Sequence, residues 1–198
     1  MAGKPQGTVH SVSTSSTHAF SKEPVPRINL IAGLGIQGDA HAGTTVQHRS
    51  RLHIRPPPAN LRQVHLIPLE LLAEVSEFGQ VKPGDLGENV TTIGIDLKKL
   101  GKETKLLFVD QEHGIHGNGD GDCDAGPVVV VMGLRNPCPQ IDKFRSGLRE
   151  RLIVRDEERR IVGRLAGVMG TVEKGGEIRP GMSIRVQQPA EYQPLECV

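Results

Sequence analysis

The chain has 198 residues and a mass of 21.4 kDa, enough for one compact domain and short for two with a linker. Its 24 Lys and Arg against 23 Asp and Glu leave a formal charge of +1, so no global positive field exists to hold a nucleic-acid backbone or an anionic membrane. No apolar run reaches the roughly 18 residues of a membrane span, and the start of the chain lacks an apolar signal-peptide core; a cytoplasmic protein is expected.

Taken in order, residues 1–8 are expected to be flexible. A β-branched stretch over 9–14 reads as an opening strand, and 27–31 alternates polar and apolar as a second. The glycine cluster from Gly33 to Gly43 is a folded loop, and 49–60, with Pro56-Pro57-Pro58, is a stiff extended connection. Residues 64–67 give a brief strand. Pro68 then opens a helix with Leu71, Leu72, Val75 and Phe78 at one-face spacing, closed by Gly79. After turn chemistry at Pro83-Gly84-Asp85-Leu86-Gly87, Ile93, Ile95 and Leu97 alternate as in a half-buried strand. Residues 106–109 and 128–132 read as buried strands, and the Gly- and Asp-rich segment 112–126 between them as a mobile insertion. Phe144, Leu148 and Leu152 predict a second amphipathic helix with Arg145, Arg149 and Arg151 on its outer face. Strands over 165–172, 177–179 and 182–186 follow, separated by Gly-Gly and Pro-Gly turns, and 188–198 is a C-terminal tail. The sum is a mostly β fold with some α: a single domain over 9–187, built as a β-barrel with a few flanking helices.

Three cysteines, Cys123, Cys138 and Cys197, are an odd number at no zinc-type spacing. Cys138 is distinctive because Pro137 and Pro139 hold it in a stiff tripeptide. Arg135, three residues upstream, would favour its thiolate, the form that acts as nucleophile or soft metal ligand. The alternative reading is a small buried hydrophobe in a proline-rich turn. Histidines 41, 48, 53 and 65 are too irregularly spaced for a zinc motif and read as surface histidines. Asn118-Gly-Asp-Gly-Asp-Cys-Asp starts like a calcium loop but has no acidic residue in its last liganding position.

Three ordered motifs carry a resemblance: Gly35-Ile-Gln-Gly-Asp-Ala-His-Ala-Gly, Pro83-Gly-Asp-Leu-Gly-Glu-Asn-Val-Thr-Thr-Ile-Gly-Ile and Arg135-Asn-Pro-Cys-Pro-Gln-Ile-Asp. Together they resemble the MOSC domain, named after the C-terminal part of molybdenum cofactor sulfurase and also found in stand-alone YiiM-like proteins and the mitochondrial amidoxime-reducing component. The resemblance implies a β-barrel with flanking helices and places Cys138 where the family has its sulfur-carrying or molybdenum-ligating cysteine. It further implies molybdenum cofactor (molybdopterin) as ligand, with Lys22, His41, Arg62, Asn89, Thr91, Arg135 and Cys138 as binding residues. Asp39 would orient His41 or cap its loop.

Two functions from different classes follow. One is reduction of N-hydroxylated or N-oxygenated small molecules with electrons from a separate donor protein, since no flavin or nicotinamide fingerprint is present. The other is a sulfur carrier that takes a persulfide on Cys138 from a pyridoxal-phosphate-dependent cysteine desulfurase. Neither involves nucleic acid or a membrane.

Overall fold

The computed structural model describes residues 6–110 and 126–198. In chain order the strands are β1 (Gly7–Thr14), β2 (Glu23–Val25), β3 (Ile28–Ile31), β4 (Gly35–Ile36), β5 (Val64–Pro68), β6 (Val90–Ile93), β7 (Lys105–Val109), β8 (Val128–Leu134), β9 (Ile153–Arg155), β10 (Ile161–Arg164), β11 (Val168–Lys174), β12 (Gly176–Ile178) and β13 (Ser183–Gln187). Three short helices accompany them: α1 (Leu69–Glu74), α2 (Gln140–Phe144) and α3 (Leu148–Arg151). Among the described residues no helix is long and apolar enough to cross a membrane.

Seven strands close a mixed barrel in the order β13-β7-β8-β11-β5-β6-β1, with β1 returning to β13. All pairings in the ring are antiparallel except β5 with β6. Two smaller sheets, β12-β3-β4 and β9-β10, lie beside it. The expected barrel with flanking helices is the observed architecture.

The strand of residues 64–68 shows why the fold has two layers. Leu66 is buried in the barrel interior with Val9, Val90, Phe108, Val129 and Ile184. Its neighbour Ile67 points to the opposite face, as strand geometry requires, and joins a second cluster with Leu72, Ile141, Leu148 and Leu152. The helices are far shorter than the ~12–15 residues an isolated helix needs, so burial of these apolar side chains against the barrel wall is what holds them.

Several local expectations give way. Ile93, Ile95 and Leu97 do not share a strand: β6 ends at Ile93, and Gly94 at φ 80° turns the chain. The helix predicted over Phe144, Leu148 and Leu152 is two helices, because Arg145 is extended and Gly147 is left-handed at φ 82°. Arg145 is half-buried rather than free on the outer face; it donates to the Gln80 carbonyl at 3.0 Å and lies over the Phe144 ring. The β9–β10 hairpin has no counterpart among the predicted elements; the strand after the Gly175-Gly176 turn, β12, pairs with β3.

At the ends, β1 already begins at Gly7, and the last residues are joined to the barrel. Lys102 N–H donates to Gln193 O at 2.8 Å and Leu134 N–H to Glu196 O at 2.7 Å, while Cys197 pairs in parallel with Leu134. The insertion of 112–126, with Cys123 and the Asn118 segment, lies outside the described residues except for Gly126.

Candidate functional site around Cys138

β8 delivers the Cys138 segment. Its last residue, Leu134, pairs with Val168, and Arg135 N–H then donates to Gly167 O at 3.0 Å. That contact depends on Gly167, which has φ 86° and where any Cβ would collide with the Leu66 carbonyl oxygen. Pro137 and Pro139 carry the chain from sheet to α2, and Cys138 O accepts from Ile141 N–H at 3.1 Å. The half-buried thiol packs on the Ile141 cluster, with Gln140 Oε1 at 3.8 Å from its sulfur. Both sequence readings of Cys138 therefore have a basis: it rests on apolar side chains yet is partly open.

Arg135 is buried, and its Nη1 has no hydrogen-bond partner. Burial draws its pKa down, against the attraction of Cys138 and Glu88. Arg62 lies in the same field. Its Nε is also unpartnered, and burial, then Arg51 and Arg135, bring its pKa down to about 10, with Cys138 and Cys197 opposing. Buried cations are normally paired; among the described residues neither the buried Arg135 nor the half-buried Arg62 meets a carboxylate within ion-pair distance. The same positive charge acts on His48, whose pKa falls to about 4 through burial and then Arg62, His41 and Arg135.

Lys22, expected as a phosphate partner, is spoken for. Its Nζ donates to Asp39 Oδ2 at 2.6 Å, and both side chains are buried. Asp39 Oδ2 also accepts from Asn89 Nδ2 at 3.0 Å and Thr14 Oγ1 at 3.2 Å, while Oδ1 takes His41 N–H at 2.9 Å and Nδ1 at 3.2 Å. Burial pushes the Asp39 carboxyl up, but the His41 bonds and the Lys22 charge outweigh it and hold the group well below the usual carboxylate range. Burial draws Lys22 down against Asp39. Asp39 thus orients His41, as one of the two sequence readings has it.

Asn89 and Thr91 are likewise used internally. Asn89 donates to Ser13 O and Asp39 and accepts from His65 N–H, and Thr91 Oγ1 donates to Glu88 Oε1 at 3.2 Å. Their polar groups brace β1, β5 and β6 rather than standing open. Of the residues implied by resemblance, the structure brings Arg62, Arg135, Cys138 and His41 into one electropositive neighbourhood and sets Lys22, Asn89 and Thr91 in the layer behind.

Other members of this neighbourhood are given no place in the site by the sequence. His65 is no surface histidine: it is buried in β5, donates Nε2–H to Ala166 O at 2.8 Å, and is held well below its ordinary pKa by burial and by Arg135. His48 and His41 meet as tilted rings 5.5 Å apart between centroids, and His18 meets His41 edge-on at 5.1 Å. Glu88 is fully buried, with Oε1 accepting from Gly84 N–H at 2.6 Å and Oε2 unpartnered, so burial raises its pKa. Cys197 comes close enough for Arg164, Arg62 and Arg51 to favour its thiolate, although burial raises its pKa overall. Only the run of polar residues after Gly87 signals Glu88; nothing local signals Cys197. Among the described residues no cluster of three or more His, Cys, Asp or Glu is placed to hold a metal ion. A cavity of about 300 Å³ beside α1, lined by Glu70, Leu71, Glu74, Ile95 and Leu97 among others, contains none of these residues.

The family model of the MOSC domain matches residues 41–185. The chain belongs to the MOSC domain family. Solved structures share this fold. The YuaD protein of Bacillus subtilis superposes with a TM-score of 0.70 at 20% identity, covering 96% of this chain and 100% of that one. YiiM from Escherichia coli gives 0.56 at 15% identity over 95% and 72% of the two chains. YiiM from Geobacillus stearothermophilus gives 0.54 at 13% over 93% and 75%. At these identities the likeness is one of fold. No curated protein matches the sequence.

Proposed function

We propose that this MOSC-domain protein binds an anionic, thiophilic-metal cofactor, molybdenum cofactor, and reduces N-hydroxylated or N-oxygenated small molecules with electrons from a separate protein. The observation that carries the reading is Arg135: a buried guanidinium with an unpartnered Nη1 and no carboxylate in contact, within electrostatic reach of a half-buried cysteine. A buried unpaired cation is costly, and an anionic ligand offsets that cost.

The donor set fits the group. Arg135 and Arg62 are suited to a phosphate, to which guanidinium binds in a planar, two-pronged fashion. Cys138 is the one thiol on the stiff segment and suits a soft metal. His41, fixed by Asp39, presents an imidazole edge beside them. When bound, the cofactor supplies two-electron redox chemistry at its metal. The chain's own part is to anchor the anionic end through Arg62 and Arg135, to hold Cys138 by its flanking prolines, and to keep Asp39, Lys22 and Asn89 as a braced layer that fixes His41.

The test is metal analysis of protein purified from a host that makes the cofactor. Wild type is expected to carry close to stoichiometric molybdenum, Cys138→Ser to lose it, and Arg135→Met to retain a small fraction at unchanged fold by circular dichroism. Wild-type protein free of molybdenum overturns the reading. A persulfide on Cys138 in such metal-free protein would support the sulfur-carrier alternative instead.

A further inference from the structure

The Cys138 segment borders a surface that cofactor binding leaves unused. From residue 140 to residue 165 the sequence holds eight lysines and arginines against five carboxylates, in a chain whose net charge is only +1. This stretch is cationic and the rest of the chain is net acidic. Two of its arginines touch the segment itself: Arg149 Nε donates to Pro137 O at 3.1 Å and Arg164 Nε to Asn136 Oδ1 at 3.1 Å. Neither guanidinium is paired with a carboxylate among the described residues, although the Arg149 N–H donates to Asp142 Oδ1 at 3.0 Å. Beyond them the β9–β10 ribbon stands apart from the barrel with aliphatic side chains on its outside, Val154 and Ile161 each 40% exposed and Val162 62%.

An exposed aliphatic group with Arg149, Arg159 and Arg164 on one side and an acidic tip on the other marks an interaction surface, and its chemistry selects the partner. On the ribbon Arg160 is held by Asp156 and Glu158, and Arg155 by Glu150, so no continuous cationic track exists for a phosphodiester backbone. The acidic tip, Asp156-Glu157-Glu158, opposes a flat anionic lipid surface that cannot avoid it. A folded partner can avoid it, setting carboxylates over Arg149, Arg159 and Arg164 and an apolar patch over Val162.

The redox reading requires such a partner. Reduction of R–NHOH to R–NH2 and water consumes two electrons and two protons, and a reduced carrier that delivers one electron at a time is oxidised in two successive encounters. The carrier must approach Cys138, and this face reaches within one residue of it.

We infer that the face running from Arg149 and Arg164 out to the β9–β10 ribbon is the docking surface of a small acidic electron-carrier protein bearing its own flavin or iron–sulfur centre. This rests on the redox function proposed above. Complementary charge steers the encounter and the aliphatic patch gives it a small apolar centre, as weak electron-transfer contacts have.

The experiment titrates the full chain calorimetrically with an acidic flavodoxin and with an acidic [2Fe–2S] ferredoxin, for wild type and the double variant Val162→Asp, Arg159→Asn. Arg159 sits at φ 62°, which asparagine tolerates. Saturable binding to at least one carrier is expected, weakened about tenfold or more in the variant and strongly reduced by about 0.3 M salt. Carrier-driven turnover should fall in parallel, while turnover with dithionite-reduced methyl viologen, which needs no docking, stays unchanged. No saturable binding to either carrier at low salt, or binding the variant leaves intact, overturns the inference. So does tighter, variant-sensitive binding to duplex DNA or to phosphatidylserine vesicles. Failure of the cofactor reading shows separately, as absent molybdenum and no viologen turnover, and leaves the calorimetric result standing.

Discussion

Replacing Asp39 with asparagine tests whether the layer behind the site is held by charge. Asp39 is the hub of that layer: Lys22 Nζ lies 2.6 Å from Oδ2 with both side chains nearly inaccessible, and Thr14, Asn89 and His41 also donate to it. The substitution keeps the size of the side chain but removes its charge, leaving the Lys22 ammonium buried without a counterion. Removing one partner of a buried pair costs about 3–5 kcal/mol, and a domain of this length loses roughly 2–4 °C of melting temperature per kcal/mol, so Asp39→Asn should melt about 6–20 °C below wild type. Lys22→Met should cost less, because Asp39 retains its other donors, and the double variant should be more stable than Asp39→Asn alone, since no ammonium is then stranded. The folded carboxyl is held below its unfolded value, so its stabilisation is present above the unfolded pKa of about 3.9 and is lost as pH falls further. Urea unfolding of the three variants and wild type should therefore show a gap that is constant above about pH 5 and narrows below about pH 4. A cost for Asp39→Asn under about 1 kcal/mol, the value of a surface pair, or a double variant no better than the single, would refute the reasoning.

The histidines give a second acid limb: His48 and His65 are held below the ordinary imidazole range in the fold, so stability is full above about pH 6.5 and falls below it, and His48→Gln should flatten part of the loss seen in urea titrations between there and about pH 4. An anion bound to Arg62 and Arg135 should raise the His48 midpoint, read by NMR titration with inorganic phosphate. Gly133→Ala would drive a Cβ against the Glu196 carbonyl oxygen, so it should release the C-terminal segment bridged to Leu134, seen as faster amide exchange at Leu134 and Val198, at a cost of about 1–3 kcal/mol. Cys197→Ser should leave molybdenum content near wild type, whereas Cys138→Ser should abolish it, both read by metal analysis.

The barrel strands are legible in the sequence because they are runs of Val, Leu and Ile bounded by turn residues, and Cys138 because two prolines and an arginine sit within three residues of it. What the sequence misleads on has a common cause. The alternation of Ile93, Ile95 and Leu97 is real, but Gly94 breaks it with a left-handed turn, and the same device at Gly147 divides a helix whose apolar spacing is continuous. His65 reads as a surface residue because its burial comes from β11 and the Ala166 carbonyl, a hundred residues away in sequence. The Lys22–Asp39–Asn89 hub joins three distant loops, and the approach of Cys197 to Arg62 is made by backbone pairing at Leu134. Period and propensity report what neighbours in sequence do; these contacts belong to closure.

Closure also governs the order in which the molecule is completed on the ribosome. The ring is sealed where β1 meets β13, through Gly7 with Ile184 and Thr8 with Ser183, so β1 waits for β13. Until β13 emerges, β7 has one bare edge and β1, covered by β2 only from Val12 to Thr14, is bare at Gly7 and Thr8, and both are templates for pairing with another nascent chain. Yield in the cell should therefore depend on holding these two edges apart until β13 has been made. Joining residue 187 to residue 7 and reopening the chain elsewhere would turn the slowest, most distant pairing into a local one.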